Sequence, residues 1–268
     1  MTSAHKQLIV DAHRLFAGGG GGPPAEAYDS LRVASSVLIQ AEPSDEATVR
    51  AMRQAMEDPS IVAVCAWTDV TSDGLEQALD DFATHEKWRG ICLDLRGDSG
   101  NDRLIGERMM RGMESLERRN IPLDLIVQPR QLPAVAELAR RRPALRVVLD
   151  HIGSPFIAKS EREPWGVYTL KVASHKNVFA KLSGLISLDT QPNWNVAHIA
   201  LFVEAVVRIF GYERLMFGSD WPAHLEVAPF EQVLEATVAS AGPMTETQER
   251  QLLVGTASTF YNIEAPIS

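Results

Sequence analysis

The chain has 268 residues, with 26 basic against 35 acidic side chains and a formal net charge of −9. That is the wrong sign for attracting a phosphate backbone, so no nucleic-acid partner is expected. Hydrophobic residues at 45% and charged residues at 23% exclude long-range disorder and fibrous classes, and the length fits one large α/β barrel.

The opening residues carry one lysine, Lys6, and the apolar run Leu8-Ile9-Val10, far short of a signal-peptide core or a spanning helix. Only Cys65 and Cys92 are present, both inside apolar stretches, which argues against a disulfide framework or a cysteine-rich metal site. The expectation is a cytoplasmic protein with no membrane partner. Eight short apolar runs follow in order, at 8–13, 36–41, 61–67, 90–95, 123–128, 146–151, 177–183 and 215–220, each reading as a buried strand. Between them lie helical patterns at 45–57, 75–85, 103–119, 131–142, 197–210 and 230–241, with a last helix at 246–261. Ser44 with Asp45 and Glu46 caps the helix after the second strand, and Thr245 with Gln248 forms a capping box.

This alternation predicts a (β/α)₈ TIM barrel, one domain over residues 1–268. An open doubly wound sheet is the alternative, but no G-x-G-x-x-G follows the first strand. The low-complexity piece, Gly18 to Gly22 followed by Pro23 and Pro24, reads as a flexible flap, because no Lys-Ser or Lys-Thr follows to make a phosphate cradle.

In such a barrel, function sits where the strands end, and these ends are polar. The first closes with Asp11-Ala12-His13, the second with Gln40, the fourth with Asp94 and Arg96, the fifth with Gln128. The sixth closes with Asp150-His151, the seventh with Lys181 and Ser183, the eighth with Ser219-Asp220. Side-chain alternation puts Asp11, His13 and Leu15 on one face, and Val147, Leu149 and His151 on another. If those faces point inward, His13, His151 and Asp220 converge, either as ligands of one divalent cation or as acid and base for hydrolysis without metal. Each could instead be a polar strand-end residue bonded to loop backbone. His224 lies in the last barrel loop, within reach of a substrate or facing solvent. His5, His85, His175 and His198 read as surface residues. Trp67, Trp165, Trp194 and Trp221 either line the mouth or pack.

The segments Val148-Leu149-Asp150-His151-Ile152-Gly153, Ala180-Lys181-Leu182-Ser183-Gly184 and Leu215-Met216-Phe217-Gly218-Ser219-Asp220-Trp221-Pro222 resemble the signatures of the amidohydrolase-related lactonases, which open sugar lactones and lactones of aromatic degradation. The resemblance spans nearly the whole chain. It implies an amidohydrolase-like barrel with catalytic residues His13, His151 and Asp220, the aspartate taking a proton from the hydrolytic water. Some family members use zinc and others no metal, so the cofactor is none or a single divalent cation on His13, His151 and Asp220.

Two positions depart from the family pattern. Leu15 stands where a second histidine of a His-x-His is usual, and Cys92 where an arginine usually holds a substrate carboxylate. Arg96, Arg14 or Lys181 is the candidate replacement anchor, and Arg96, Lys181, Gln40, His224 and Trp221 form the expected substrate-binding set. No lysine ends the fourth strand, so a dinuclear centre bridged by a carboxylated lysine is not expected. The expected activity is hydrolysis of a small lactone or related cyclic ester. The alternatives are a barrel that binds a small molecule without turnover, and an amidohydrolase-type decarboxylase. The partner is a small-molecule substrate, with monomer and homodimer both open.

Overall fold

The computed structural model describes residues 7–18, 23, 25–100, 102–188 and 194–266; His5 and most of the predicted flap, Gly19 to Gly22 and Pro24, lie outside them. The strands are β1 (Ile9–Leu15), β2 (Val33–Gln40), β3 (Ile61–Ala66), β4 (Trp88–Asp94), β5 (Leu123–Ile126), β6 (Val147–Leu149), β7 (Val178–Leu182) and β8 (Leu215–Phe217). They form one sheet in chain order with every neighbouring pair parallel. The helices are α1 (Ala25–Ser30), α2 (Asp45–Glu57), α3 (Leu75–Ala83), α4 (Glu107–Arg118), α5 (Leu132–Arg141), α6 (Trp165–Ala173), α7 (Leu185–Leu188), α8 (Val196–Phe210), α9 (Phe230–Ala241), α10 (Glu246–Arg250) and α11 (Thr256–Tyr261). The architecture is the TIM barrel that the alternation of elements predicts.

Strand β8 returns to β1 through a few specific bonds. The Asp220 N–H donates to the His13 carbonyl at 2.8 Å, and the Leu15 N–H to the Trp221 carbonyl at 2.8 Å. The Asp11 carboxylate accepts the Ser219 N–H at 2.8 Å and the Ser219 hydroxyl at 2.6 Å. Gly218 lies so close to β1 that a Cβ there would come within 2.5 Å of the His13 Cβ, so only glycine lets the two strands approach at that level.

Local signals explain most boundaries. Ser44 Oγ accepts the Ala47 N–H at 3.2 Å, and α2 then buries Ala47, Ala51, Met52 and Ala55 against the barrel. Thr245 and Gln248 make the expected capping box. The predicted last helix is broken by a wider π-helical stretch, Gln251–Gly255, between α10 and α11. Helices α1, α6 and α7 go beyond the predicted set. The first and last are very short, and α6 carries exposed Val167 and Leu170, which blur its polar face.

Strict alternation fails in β1. The register against β2 shifts between Asp11 and Arg14, and such an irregularity re-aims side chains. Asp11 therefore accepts from the Tyr28 hydroxyl of α1 at 3.2 Å and from Ser219, rather than turning to the same side as His13. Arg14 is 1% exposed, pairs with Asp58 at 2.8 Å and donates to Ser60 Oγ at 3.1 Å, which removes it as a substrate anchor. Burial works to raise the Asp58 pKa, but bonds from Ser60 and Arg14 outweigh it and hold the carboxyl below its usual value. Replacing Asp58 by Asn is expected to cost about 3 kcal/mol of unfolding free energy by stranding a buried guanidinium, measurable by urea denaturation with unchanged m-value.

Candidate active site

Strands β6 and β8 both end earlier than the sequence suggests, and the two residues that matter lie just beyond them. His151 and Ile152 follow Leu149 with φ of 53° and 49°, and Asp220 follows β8 with φ of 63°. Left-handed backbone is costly for residues with a Cβ, most of all for β-branched isoleucine. It is held in place by bonds from outside the segment. Trp165 Nε1 donates to the Ile152 carbonyl at 2.8 Å, and the His151 N–H lies 3.3 Å from Ser183 Oγ.

This turn brings both Asp150 and His151 inward, where a continuing strand would have sent them to opposite faces. His13, His151 and Asp220 converge as expected, each buried, with one potential ligand atom from each lying within 4.8 Å of the others. His13 Nε2 is 3.7 Å from Asp220 Oδ1, and the two imidazole centroids are 4.6 Å apart, edge to face. His13 Nε2 is buried with no hydrogen-bond partner among the described residues. His151 Nδ1 contacts Ser183 Oγ at 3.0 Å, and burial lowers the His151 pKa, so the ring is neutral near pH 7. Gly184, at φ 63°, lies against this ring: a Cβ there would fall 2.4 Å from His151 Nδ1.

Beneath the two histidines lies a buried ionic cluster. The Lys181 ammonium, 0% exposed, is 2.6 Å from Asp124 Oδ2 and 2.8 Å from Asp150 Oδ1. Asp150 Oδ1 is in turn 3.5 Å from His13 Nδ1, and Tyr261 donates to Asp124 Oδ2 at 2.8 Å. Burial pushes the Asp124 carboxyl up to about 6 against the pull of Lys181. For Asp150 burial is outweighed by Lys181 and His13, which hold its carboxyl well below the usual range. Burial opposes the Lys181 charge too, yet the two carboxylates raise its pKa overall. Cys65 and Cys92 adjoin this cluster and are both fully buried, so the thiol at position 92 reaches no substrate.

A cavity of about 220 Å³ opens at His151 and Asp220. Leu15, Ile126 and Leu188 give it an apolar side, while His151, Asp220, Asp94 and Arg96 give it a polar one. Of the expected substrate-binding set, Arg96 lines it. Lys181 does not, because its ammonium is 0% exposed and paired with Asp124 and Asp150 inside the barrel. Gln40 is also turned away: its Oε1 accepts from Thr48 Oγ1 and the Trp67 N–H, both at 2.8 Å, and its Nε2 donates to the Glu42 carbonyl. His224 is 1% exposed, neither facing solvent nor lining this cavity; its Nδ1 meets the Ala228 carbonyl at 2.8 Å and its ring packs on Trp221 and Phe230. Trp221 lies half-buried at the β1–β8 seam. Trp165 is core, and His85, His175 and His198 sit on or beside outer helices.

The residues that sequence reasoning missed as a group are Asp124, Asp150, Lys181 and Tyr261. The available signal was an aspartate inside the apolar Leu123-Asp124-Leu125-Ile126 and a lysine inside Phe179-Ala180-Lys181-Leu182, two opposite charges that only a shared interior can satisfy. Lys181→Met is expected to destabilise the protein by about 3 to 5 kcal/mol, read from the urea midpoint, because two buried carboxylates lose their cation at once.

A profile of the amidohydrolase family matches residues 6–263. Two curated L-fucono-1,5-lactonases are similar to this chain. That of Burkholderia ambifaria is 33% identical over 190 residues, covering 71% of this chain and 65% of the relative. That of Burkholderia multivorans is 29% identical over 97% of both chains. Among solved structures, an amidohydrolase from Burkholderia multivorans with bound zinc superposes with a TM-score of 0.89 at 25% identity, covering 96% of this chain and all of that one. With the profile running nearly end to end along the barrel, the chain belongs to the amidohydrolase family of hydrolases.

Proposed function

We propose that this protein hydrolyses an uncharged, hydroxyl-bearing lactone of the sugar-acid type. The observation that carries the reading is His13 Nε2, buried without a hydrogen-bond partner among the described residues and facing Asp220 and His151 beside the cavity. The similarity to two L-fucono-1,5-lactonases supports it.

The geometry suits general-base attack. Asp220 takes a proton from a water molecule, and the resulting hydroxide adds to the lactone carbonyl. With Ser183 Oγ donating to Nδ1, the neutral His151 ring carries its proton on Nε2 and donates it as a hydrogen bond to the developing oxyanion. Collapse of the tetrahedral adduct breaks the bond to the ring oxygen, which receives the proton held by Asp220 and leaves as the hydroxyl of the open acid. Asp150, fixed by Lys181, keeps the His13 proton on Nδ1 and leaves Nε2 as a lone pair directed at the reacting centre.

In the other His151 tautomer, with Nδ1 donating to Ser183 Oγ, His151 Nε2 is a second lone pair, and with His13 Nε2 and Asp220 it would form a donor set suited to one divalent ion such as zinc. With Leu15 supplying no fourth donor, positions stay open for water and substrate. A bound cation would polarise the lactone carbonyl. Cytoplasmic residence accords with the two free, buried thiols.

Charge at the mouth favours an uncharged substrate. Asp94 holds the Arg96 guanidinium through contacts of 3.0, 3.2 and 2.6 Å, so the cation expected to anchor a substrate carboxylate is already neutralised. Asp220 then leaves the lining net negative, which repels a carboxylated lactone.

In a pH-indicator assay, L-fucono-1,5-lactone and other uncharged aldonolactones are expected to turn over faster than carboxylated pyrone lactones. Asp220→Asn should lose at least about 100-fold in kcat, and undiminished activity in that variant refutes the reading. By calorimetry, zinc is expected to bind the wild type and to bind His151→Asn at least about tenfold more weakly. Equal affinity would place the ion elsewhere.

A further inference from the structure

A second cavity, of about 240 Å³, lies beside the first at the ends of β3 and β4, and Asp94 belongs to the walls of both. No step of the hydrolysis uses it. Its lining joins the half-buried Trp67 indole to Thr68, Asp69, Asp98 and Arg103. Among the described residues Trp67 enters hydrogen bonds through its backbone: its N–H donates to Gln40 and its carbonyl accepts from Thr48. Asp98 Oδ1 pairs with Arg103 Nη1 at 2.5 Å, while Asp98 Oδ2 is buried with no hydrogen-bond partner among the described residues.

Thr68, Asp69, Asp94 and Asp98 line the cavity as hydrogen-bonding residues. An indole beside carboxylates and a hydroxyl gives an apolar plate ringed by polar groups of both kinds, which matches a pyranose: C–H bonds on its faces, hydroxyls around its rim. The lining carboxylates disfavour an anionic occupant, and Arg103 is already committed to Asp98.

Resting on the lactonase reading above, we infer that this cavity is a subsite for a second sugar ring, so that the preferred substrate is a glycosylated aldonolactone. Its lactone ring occupies the cavity over His151 and Asp220, and its glycosidic bond passes over Asp94. The chemistry at the carbonyl is unchanged; the second ring contributes binding only.

The test compares D-glucono-1,5-lactone with cellobiono-1,5-lactone and lactobiono-1,5-lactone, which add one ring to the same lactone, each rate corrected for spontaneous opening. The disaccharide lactones should show a KM about tenfold lower, in line with one well-formed aromatic contact. Trp67→Ala and Asp98→Asn should each remove that advantage and leave glucono-lactone kinetics unchanged. Asp98 is on a surface loop, so its variant keeps the test sound if Trp67→Ala folds poorly. Equal KM for one-ring and two-ring lactones, or variants that impair both alike, overturns the subsite and leaves the lactonase reading standing. Loss of Asp220-dependent turnover on all three lactones, and on the uncharged panel above, overturns both.

Discussion

A lysine ammonium with no exposure to water, gripped by two carboxylates in the middle of a barrel, is the constraint on which the active site depends. Burying three charges in a low-dielectric interior is unfavourable unless their geometry is tight. The tightness fixes three strands relative to one another: β5 through Asp124, β7 through Lys181, and the end of β6 through Asp150. His13 is the fourth partner, placed against Asp150 by the β1–β8 seam. The cluster thus works as a rigid floor that sets the position of the imidazole above it. Replacing it with apolar side chains of similar volume could leave a stable barrel but would remove the reason for His13 to point as it does.

The sequence revealed the barrel because eight apolar runs at regular spacing have few other solutions, and the strand ends revealed the His13, His151 and Asp220 triad because polar groups there are conspicuous. The route to the triad was partly wrong. Alternation along a continuing strand placed His151 inward, whereas the structure does so with a left-handed turn that also sends Asp150 inward. Alternation likewise grouped Asp11 with His13, and an irregularity in β1 separates them. Such turns are held by tertiary partners, Trp165 and Ser183 here, and leave no local pattern to read. Lys181 and Gln40 looked available for substrate for the same reason: their type is legible in sequence, but their partners, Asp124 and Thr48, come from elsewhere in the chain.

The departures from the family pattern also acquire physical content. Leu15 lines the apolar side of the cavity, so an aliphatic surface stands where the family pattern has an imidazole. Cys92 lies below the mouth beside the ionic cluster, where a small, uncharged side chain fits. At the mouth the Asp94–Arg96 pair presents acceptors and donors together with little net charge.

Four non-glycine residues near the mouth, His151, Ile152, Ser154 and Asp220, adopt positive φ, and two of them are the proposed chemistry. Glycine at such positions relieves backbone strain, so a screen that rewards heat resistance alone would be drawn to the very positions that carry the proposed chemistry. Evolvability in this barrel is therefore divided: its outer helices are open to stabilising change, while its rim trades robustness for reactivity.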